Sequence, residues 1–204
     1  MLGLTAACLT LFLMAPATTG VAPLADAPTT KQKSRTDAGV VIYEAGRVEL
    51  DWYIINDTVM GGRSQSRWVN RASEGGVFDG TLSLENYGGF TSVRSSQVDS
   101  LKAPHDTFVL RVRGDGRTYR FTVRSEQVRR GINYQRDFKT EAGKWLEVRL
   151  SIPEFQARWR GQAVRGAPVL RAEHVRSVGF LLADKTPGPF RLEVGSIHSV
   201  ATGP

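Results

Sequence analysis

From Val40 onward the chain alternates apolar and polar residues in short runs. In residues 107–112, Phe108, Leu110 and Val112 alternate with Val109 and Arg111. In 118–126, Tyr119, Phe121 and Val123 alternate with Arg120, Thr122 and Arg124. Leu146, Val148 and Leu150 share a side, as do Val178, Phe180 and Leu182, and then Phe190, Leu192 and Val194. A period of two predicts strands with one face on a core and the other in water. No helical period persists for about ten residues; the best helical candidate is a short turn over 153–159. Many short strands separated by turn signals predict an all-β antiparallel sandwich or barrel. Its expected core includes Phe108, Leu110, Phe121, Val123, Val148, Phe180 and Leu192.

Turn signals punctuate the runs at Gly75-Gly76, Gly88-Gly89, Gly143 and Pro187-Gly188-Pro189. Asp115-Gly116 lies between two alternating runs, which predicts a β-hairpin. It also creates the adhesion-like tripeptide Arg113-Gly114-Asp115, for which a tight turn is the plainer reading. If the hairpin forms, Arg111, Arg113, Arg120 and Arg124 make one basic face, continued by Arg129, Arg130 and Arg136. A solvated sheet face is the simplest account of such a row.

The N-terminal region breaks the pattern. Leu2 to Ala17 is apolar and uncharged, and small residues and a polar stretch follow. This divides the chain into 1–27, a signal peptide or uncleaved apolar anchor; 28–39, a disordered linker; and 40–200, the sandwich domain. Export to the periplasm or the extracellular space is the expected location, with a membrane-anchored or cytosolic product as alternatives. The basic n-region of an export signal is missing, because no Lys or Arg precedes the run.

Charge and composition narrow the chemistry only partly. The 204 residues carry a formal net charge of +7. That admits an acidic partner, an anionic membrane or nucleic acid. No aromatic ladder shares the basic face, which argues against nucleic acid; membrane association is expected through the N-terminal segment alone. The single cysteine, Cys8, lies in the apolar run, so a cleaved chain would have no thiol chemistry. His105, His174 and His198 lie far apart without metal-ligand spacing. No Gly-x-Ser-x-Gly elbow occurs. The residues therefore predict no catalytic group, no metal and no cofactor.

Two polar, glycine-bearing clusters are the candidate binding surface. The first holds Asn56, Asp57, Gly61, Gly62, Arg63 and Ser64; the second holds Asn86, Gly88 and Gly89, with Arg94 following. A phosphate loop would need a Lys-Ser/Thr pair opening a helix, whereas residues 65–69 read as a strand. The alternative is a pair of braced turns: Asn and Asp bond their own backbone, and glycine supplies positive φ or close approach. Asp57 is expected to accept main-chain N–H bonds, and Gly62 is a candidate for positive φ.

Longer motifs carry a family resemblance. "WYIINDTVMGGRSQS" at 52–66 and "FDGTLSLENYGGFTSVR" at 78–94 resemble the complex I intermediate-associated protein 30 family. "YRFTVR" (119–124), "WLEVRL" (145–150), "FQARWRG" (155–161) and "GFLLADKTPGPFRLEV" (179–194) fit the same pattern. The resemblance implies a galactose-binding-like, jelly-roll β-sandwich. It also implies a non-enzymatic assembly or chaperone module for NADH:ubiquinone oxidoreductase, with a protein partner. The fold is widely used for carbohydrates, so an exported sugar-binding module is the alternative. A sugar site would need an exposed Trp or Tyr beside polar groups, and Trp68 and Trp159 are its candidates.

Overall fold

The computed structural model describes residues 39–71, 75–99, 101 and 104–202. The expected signal peptide or anchor, and all of the linker except Gly39, lie outside the described residues.

Among the described residues, thirteen strands form two antiparallel sheets. The first sheet runs β3 (Gln65–Arg71), β4 (Gly75–Leu82), β13 (Gly188–Val200), β6 (Thr107–Arg113), β9 (Trp145–Ser151), and β1 (Val40–Glu44) also pairs with β13. The second runs β11 (Gln162–Ala163), β10 (Gln156–Trp159), β8 (Asn133–Lys139), β7 (Thr118–Ser125), β12 (Val175–Leu182), β5 (Thr91–Ser95), β2 (Trp52–Asn56). Strand β13 is the longest because it serves two neighbours on one edge. Its first half pairs with β4 and its second half with β1, and the register against β6 shifts between Val194 and Ser196.

The inward faces of the two sheets meet through aromatic rings. Phe108 of the first sheet packs edge-on to Phe121 of the second, with centroids 5.2 Å apart. Phe121 in turn meets Phe180 at 5.4 Å. Near one edge Trp52 stacks on Trp68 at 4.1 Å, bridging the sheets a second time. Each buried phenylalanine contributes on the order of 2–3 kcal/mol by leaving water. Phe108, Leu110, Phe121, Val123, Phe180 and Leu192 are buried as their alternation predicts. Val148 is only half-buried. It sits on β9, which ends the first sheet and has a neighbour on one side only.

Two further sequence expectations fail. The segment 153–159 is not a helical turn throughout: Ile152–Glu154 makes one 3-10 turn, and Gln156–Trp159 is a strand. Pro153 suits a first turn, but Phe155 and Ala157 then both point to the core with period two. Nor does Asp115-Gly116 close a hairpin, because β6 belongs to the first sheet and β7 to the second. The turn is an arch between sheets, pinned by the Asp115 carboxylate. That group accepts bonds from Tyr119 Oη at 3.0 Å and from the Arg191 amide at 2.9 Å. Gly116 supplies the positive φ of 94°. The outward arginines of β6 and β7 therefore lie on opposite faces of the sandwich, and the single basic face does not exist.

Candidate functional site

The two glycine-bearing clusters meet around one carboxylate. Asp57 opens a 3-10 turn, Asp57–Met60, directly after β2 and is completely buried. Its Oδ1 accepts from the Ser64 amide at 2.9 Å. Its Oδ2 accepts from Ser64 Oγ at 2.6 Å, the Gly89 amide at 2.7 Å and the Phe90 amide at 3.3 Å. Burial pushes the carboxyl up, but these bonds outweigh it and hold Asp57 below the usual carboxylate range.

The glycines of the motif answer to that carboxylate. A Cβ on Gly62 would stand 2.4 Å from Asp57 Cγ, and one on Gly88 would stand 2.6 Å from Oδ2. Positive φ falls on Gly61, at 91°, rather than on Gly62. Gly62 is glycine because of close approach, not because of its dihedral.

Around this hub the loops are cross-tied. Asn86 Nδ2 donates to the Gly61 carbonyl at 3.2 Å, and Arg63 pairs with Glu85 at 2.9 Å on the exposed side. Asn56 Oδ1 accepts from Ser66 Oγ at 2.7 Å and Thr91 Oγ1 at 2.6 Å, tying the first sheet to the second. Asn56, Asp57 and Ser64 thus act inside the fold.

The braced loops form one wall of a cleft. Its floor is the outer face of the second sheet and its volume is about 690 Å³. Met60, Leu84 and Phe90 make an apolar end. Met60 and Leu84 are both well exposed, at 64% and 42%. Arg94 of β5 and Arg124 of β7 make a cationic end, and Arg120 of β7 stands nearer the apolar end, in the row of Leu181 and Ser92. Gly179 of β12 lies between Arg94 and Thr122 in the register. It leaves the floor open, since a Cβ there would come within 2.3 Å of the Val93 carbonyl.

Gly88, Gly89 and Arg94 of the first candidate set line this cleft, with Arg120 and Arg124 of the second. Arg63 lies instead against a separate groove beside Gln65 and Pro187. Arg111 and Arg113 sit on the opposite face, over the Trp145 ring at 4.4 and 5.1 Å. Sequence reasoning missed Asn133, Gln135, Arg158, Ser177 and Lys185, which also line the cleft. The available signal was small or polar side chains at outward positions of strand after strand.

The arginines of the cleft are unevenly partnered. Arg120 pairs with Asp137 at 2.8 Å. Arg94 and Arg124 have no carboxylate within ion-pair distance among the described residues. Burial first, and then the charge of Arg130, holds the Arg94 guanidinium below its ordinary pKa. Arg124 is lowered by burial and then by Arg94 and Arg130. Gln135 is 7% exposed, and its Oε1 has no partner among the described residues.

Comparison with known proteins places this geometry in a family. The family model for complex I intermediate-associated protein 30 matches residues 43–194, nearly the whole sandwich. The chain belongs to this family. One relative, the mitochondrial complex I intermediate-associated protein 30 of Mus musculus, is 31% identical over 188 residues, 77% of this chain. The match covers 57% of the mouse protein's length.

The family fold also occurs in solved carbohydrate-binding modules. A Family 11 module from Clostridium thermocellum, in complex with a β-1,3-1,4-mixed-linked tetrasaccharide, has a TM-score of 0.57 at 12% identity, covering 80% of this chain and 96% of the module. The Family 11 module of a cellulosomal cellulase from Clostridium thermocellum has a TM-score of 0.54 at 14% identity, covering 81% of this chain and 95% of the module. At such identity these likenesses establish the jelly-roll β-sandwich alone.

The family match corrects the expected location. The named relative is mitochondrial, which points to a mitochondrial rather than an exported setting. Among the described residues no helix is long and apolar enough to cross a membrane.

Proposed function

We propose that this chain is a non-enzymatic binding module that assists assembly of respiratory complex I by holding a protein partner in the cleft of the second sheet. The observation that carries this reading is the family match over 43–194, the span that builds both sheets and the cleft between the braced loops. The lining supports it. An apolar end beside a polar, cationic floor suits a polypeptide with mixed side chains.

A sugar platform would present Trp or Tyr rings, whereas Phe90 is the aromatic residue among the described lining. Trp68 is stacked against Trp52 between the sheets, and Trp159 lies under the Arg160 guanidinium at 5.1 Å. Neither lines the cleft. The carbohydrate alternative therefore rests on fold likeness and on Tyr53, which is 55% exposed and stands opposite Arg94 in the register without lining the cleft.

The test is removal of the chain from its native cells, followed by native-gel separation of the respiratory complexes. Partly assembled complex I should accumulate, and the chain restored in trans should clear it. Complex I at its normal level without the chain would overturn the reading.

A further inference from the structure

The cleft's cationic end has the chemistry of a receptor for carboxylates. Two hollows meet there: the main cleft and an adjoining one of about 500 Å³, with Arg94 and Arg124 lining both. Arg130 lines the second hollow. No carboxylate is among the described lining of the main cleft. Glu126, in the adjoining hollow, is already held by His174 Nδ1 at 2.9 Å and by the Arg176 guanidinium. Three guanidiniums thus line the two hollows with no ion pair to a carboxylate among the described residues, and burial first, then their mutual charge, holds Arg94 and Arg124 below the ordinary pKa. Uncompensated like charge on a half-buried surface is unfavourable, and an arriving anion relieves it. Guanidinium groups match a carboxylate's two oxygens with paired N–H donors.

We infer that the Arg94–Arg124–Arg130 end of the cleft receives an acidic segment of a protein partner, its side-chain carboxylate seated between Arg94 and Arg124 and a neighbouring apolar side chain against Met60, Leu84 and Phe90. This rests on the reading of the cleft as a protein-binding site and names the partner's chemistry. A further observation selects a polypeptide. The exposed apolar side chains lie on the loop wall of the same cleft, so apolar and acidic groups of one segment reach their sites together.

The experiment is fluorescence anisotropy on the full chain with three labelled probes. One is a short peptide of alternating Glu and Leu. The second replaces each Glu by Gln. The third is a mixed-linked β-glucan tetrasaccharide. The acidic peptide should bind, weakening as salt rises, and the Gln peptide should bind at least about tenfold more weakly. The R94M/R124M variant should lose at least about tenfold in affinity for the acidic peptide at a melting temperature no lower than that of the wild type. The R111M/R113M variant, altered on the opposite face, should bind as the wild type does. Equal binding of the two peptides, undiminished binding by R94M/R124M, or equal loss in R111M/R113M would each overturn the inference. Capture of the tetrasaccharide in place of the acidic peptide would overturn it too. Failure here with complex I assembly still dependent on the chain rejects the acidic segment alone. Peptide capture in a chain that complex I does not need rejects the assembly role alone.

Discussion

Both outer faces of the sandwich carry arginines at alternate strand positions; the first laces them to carboxylates across strands, whereas the second pairs Arg120 with Asp137 but leaves Arg94 and Arg124 without a carboxylate among the described residues. On the first sheet a chain of contacts crosses β9, β6, β13, β4 and β3. Arg113 lies over Trp145 and pairs with Glu193, with Nε at 2.8 Å. Arg191 bonds the other oxygen of Glu193 at 2.9 Å and reaches Asp79 at 3.4 Å, and Arg67 bonds Asp79 at 2.7 Å. On the second sheet Arg94 and Arg124 face the cleft without such partners, and the buried carboxylate at its rim, Asp57, is bonded by amides and a hydroxyl. Identical residue types in identical alternation therefore yield a laced surface on one side and an unmet charge on the other. The difference lies in which residue stands one strand away.

The largest expected effect comes from Asp57. Replacing Asp57 by Ala leaves the Ser64, Gly89 and Phe90 donors unmet in a closed site, where each lost acceptor costs about 1–3 kcal/mol. Urea unfolding should show a loss of roughly 3 kcal/mol, and the cleft's loop wall should loosen with it. An unchanged midpoint would mean that the loops are braced elsewhere. Next is Glu193→Ala. It strands Arg113 and Arg191 on the laced face, and breaking a buried pair costs about 3–5 kcal/mol. Both arginines are partly exposed, so the loss should be nearer 2 kcal/mol. A loss below about 0.5 kcal/mol would show the first face to be no better paired than the second.

Much of this was legible in the sequence, and the failures share a cause. Alternation located β6, β7, β9, β12 and β13, because the period of two is a local property of half-buried strands. The Asp57 hub was foreseeable from Asn and Asp beside paired glycines, since turn chemistry is also local. The hairpin at Asp115-Gly116 failed because an arch between sheets and a hairpin within one show the same alternation and the same turn residues. What separates them is the pairing of Asp115 with Tyr119 and with Arg191, the latter 76 residues on. The cleft failed to emerge as a unit for the same reason. Arg94, Arg124, Gln135 and Arg158 come together through strand order, which no stretch of sequence displays.

Matched substitutions on the two faces should have opposite signs. Arg113→Met removes a partner of Glu193 and should destabilise by about 1 kcal/mol, since hydrogen bonds to charged groups carry that order of energy. Arg94→Met removes a half-buried charge that lacks a carboxylate and stands near Arg130. It keeps most of the aliphatic stem, so it should be neutral or stabilising by up to about 1 kcal/mol. Melting temperatures of the two variants decide it. Equal destabilisation would erase the contrast between the faces.

The smallest effect is the pH dependence that Glu193 contributes on the laced face. Burial raises the Glu193 carboxyl, but hydrogen bonds from Arg191 and Arg113 and their charges outweigh it, so it titrates below the usual carboxylate range. A carboxyl depressed by folding stabilises the protein above its unfolded pKa of about 4.3, and that stabilisation is lost as pH falls through the folded value. Glu193→Gln should therefore be less stable than the wild type near neutrality, with the gap narrowing as pH falls below about 4.3. The cleft arginines stay charged over this whole range, so Arg94→Met should keep a near-constant offset from the wild type. Urea midpoints of the three proteins across the acid range test this. A Glu193→Gln gap that stays constant would mean that its carboxylate charge adds nothing to the lacing, leaving shape and hydrogen-bond number as the difference between the faces.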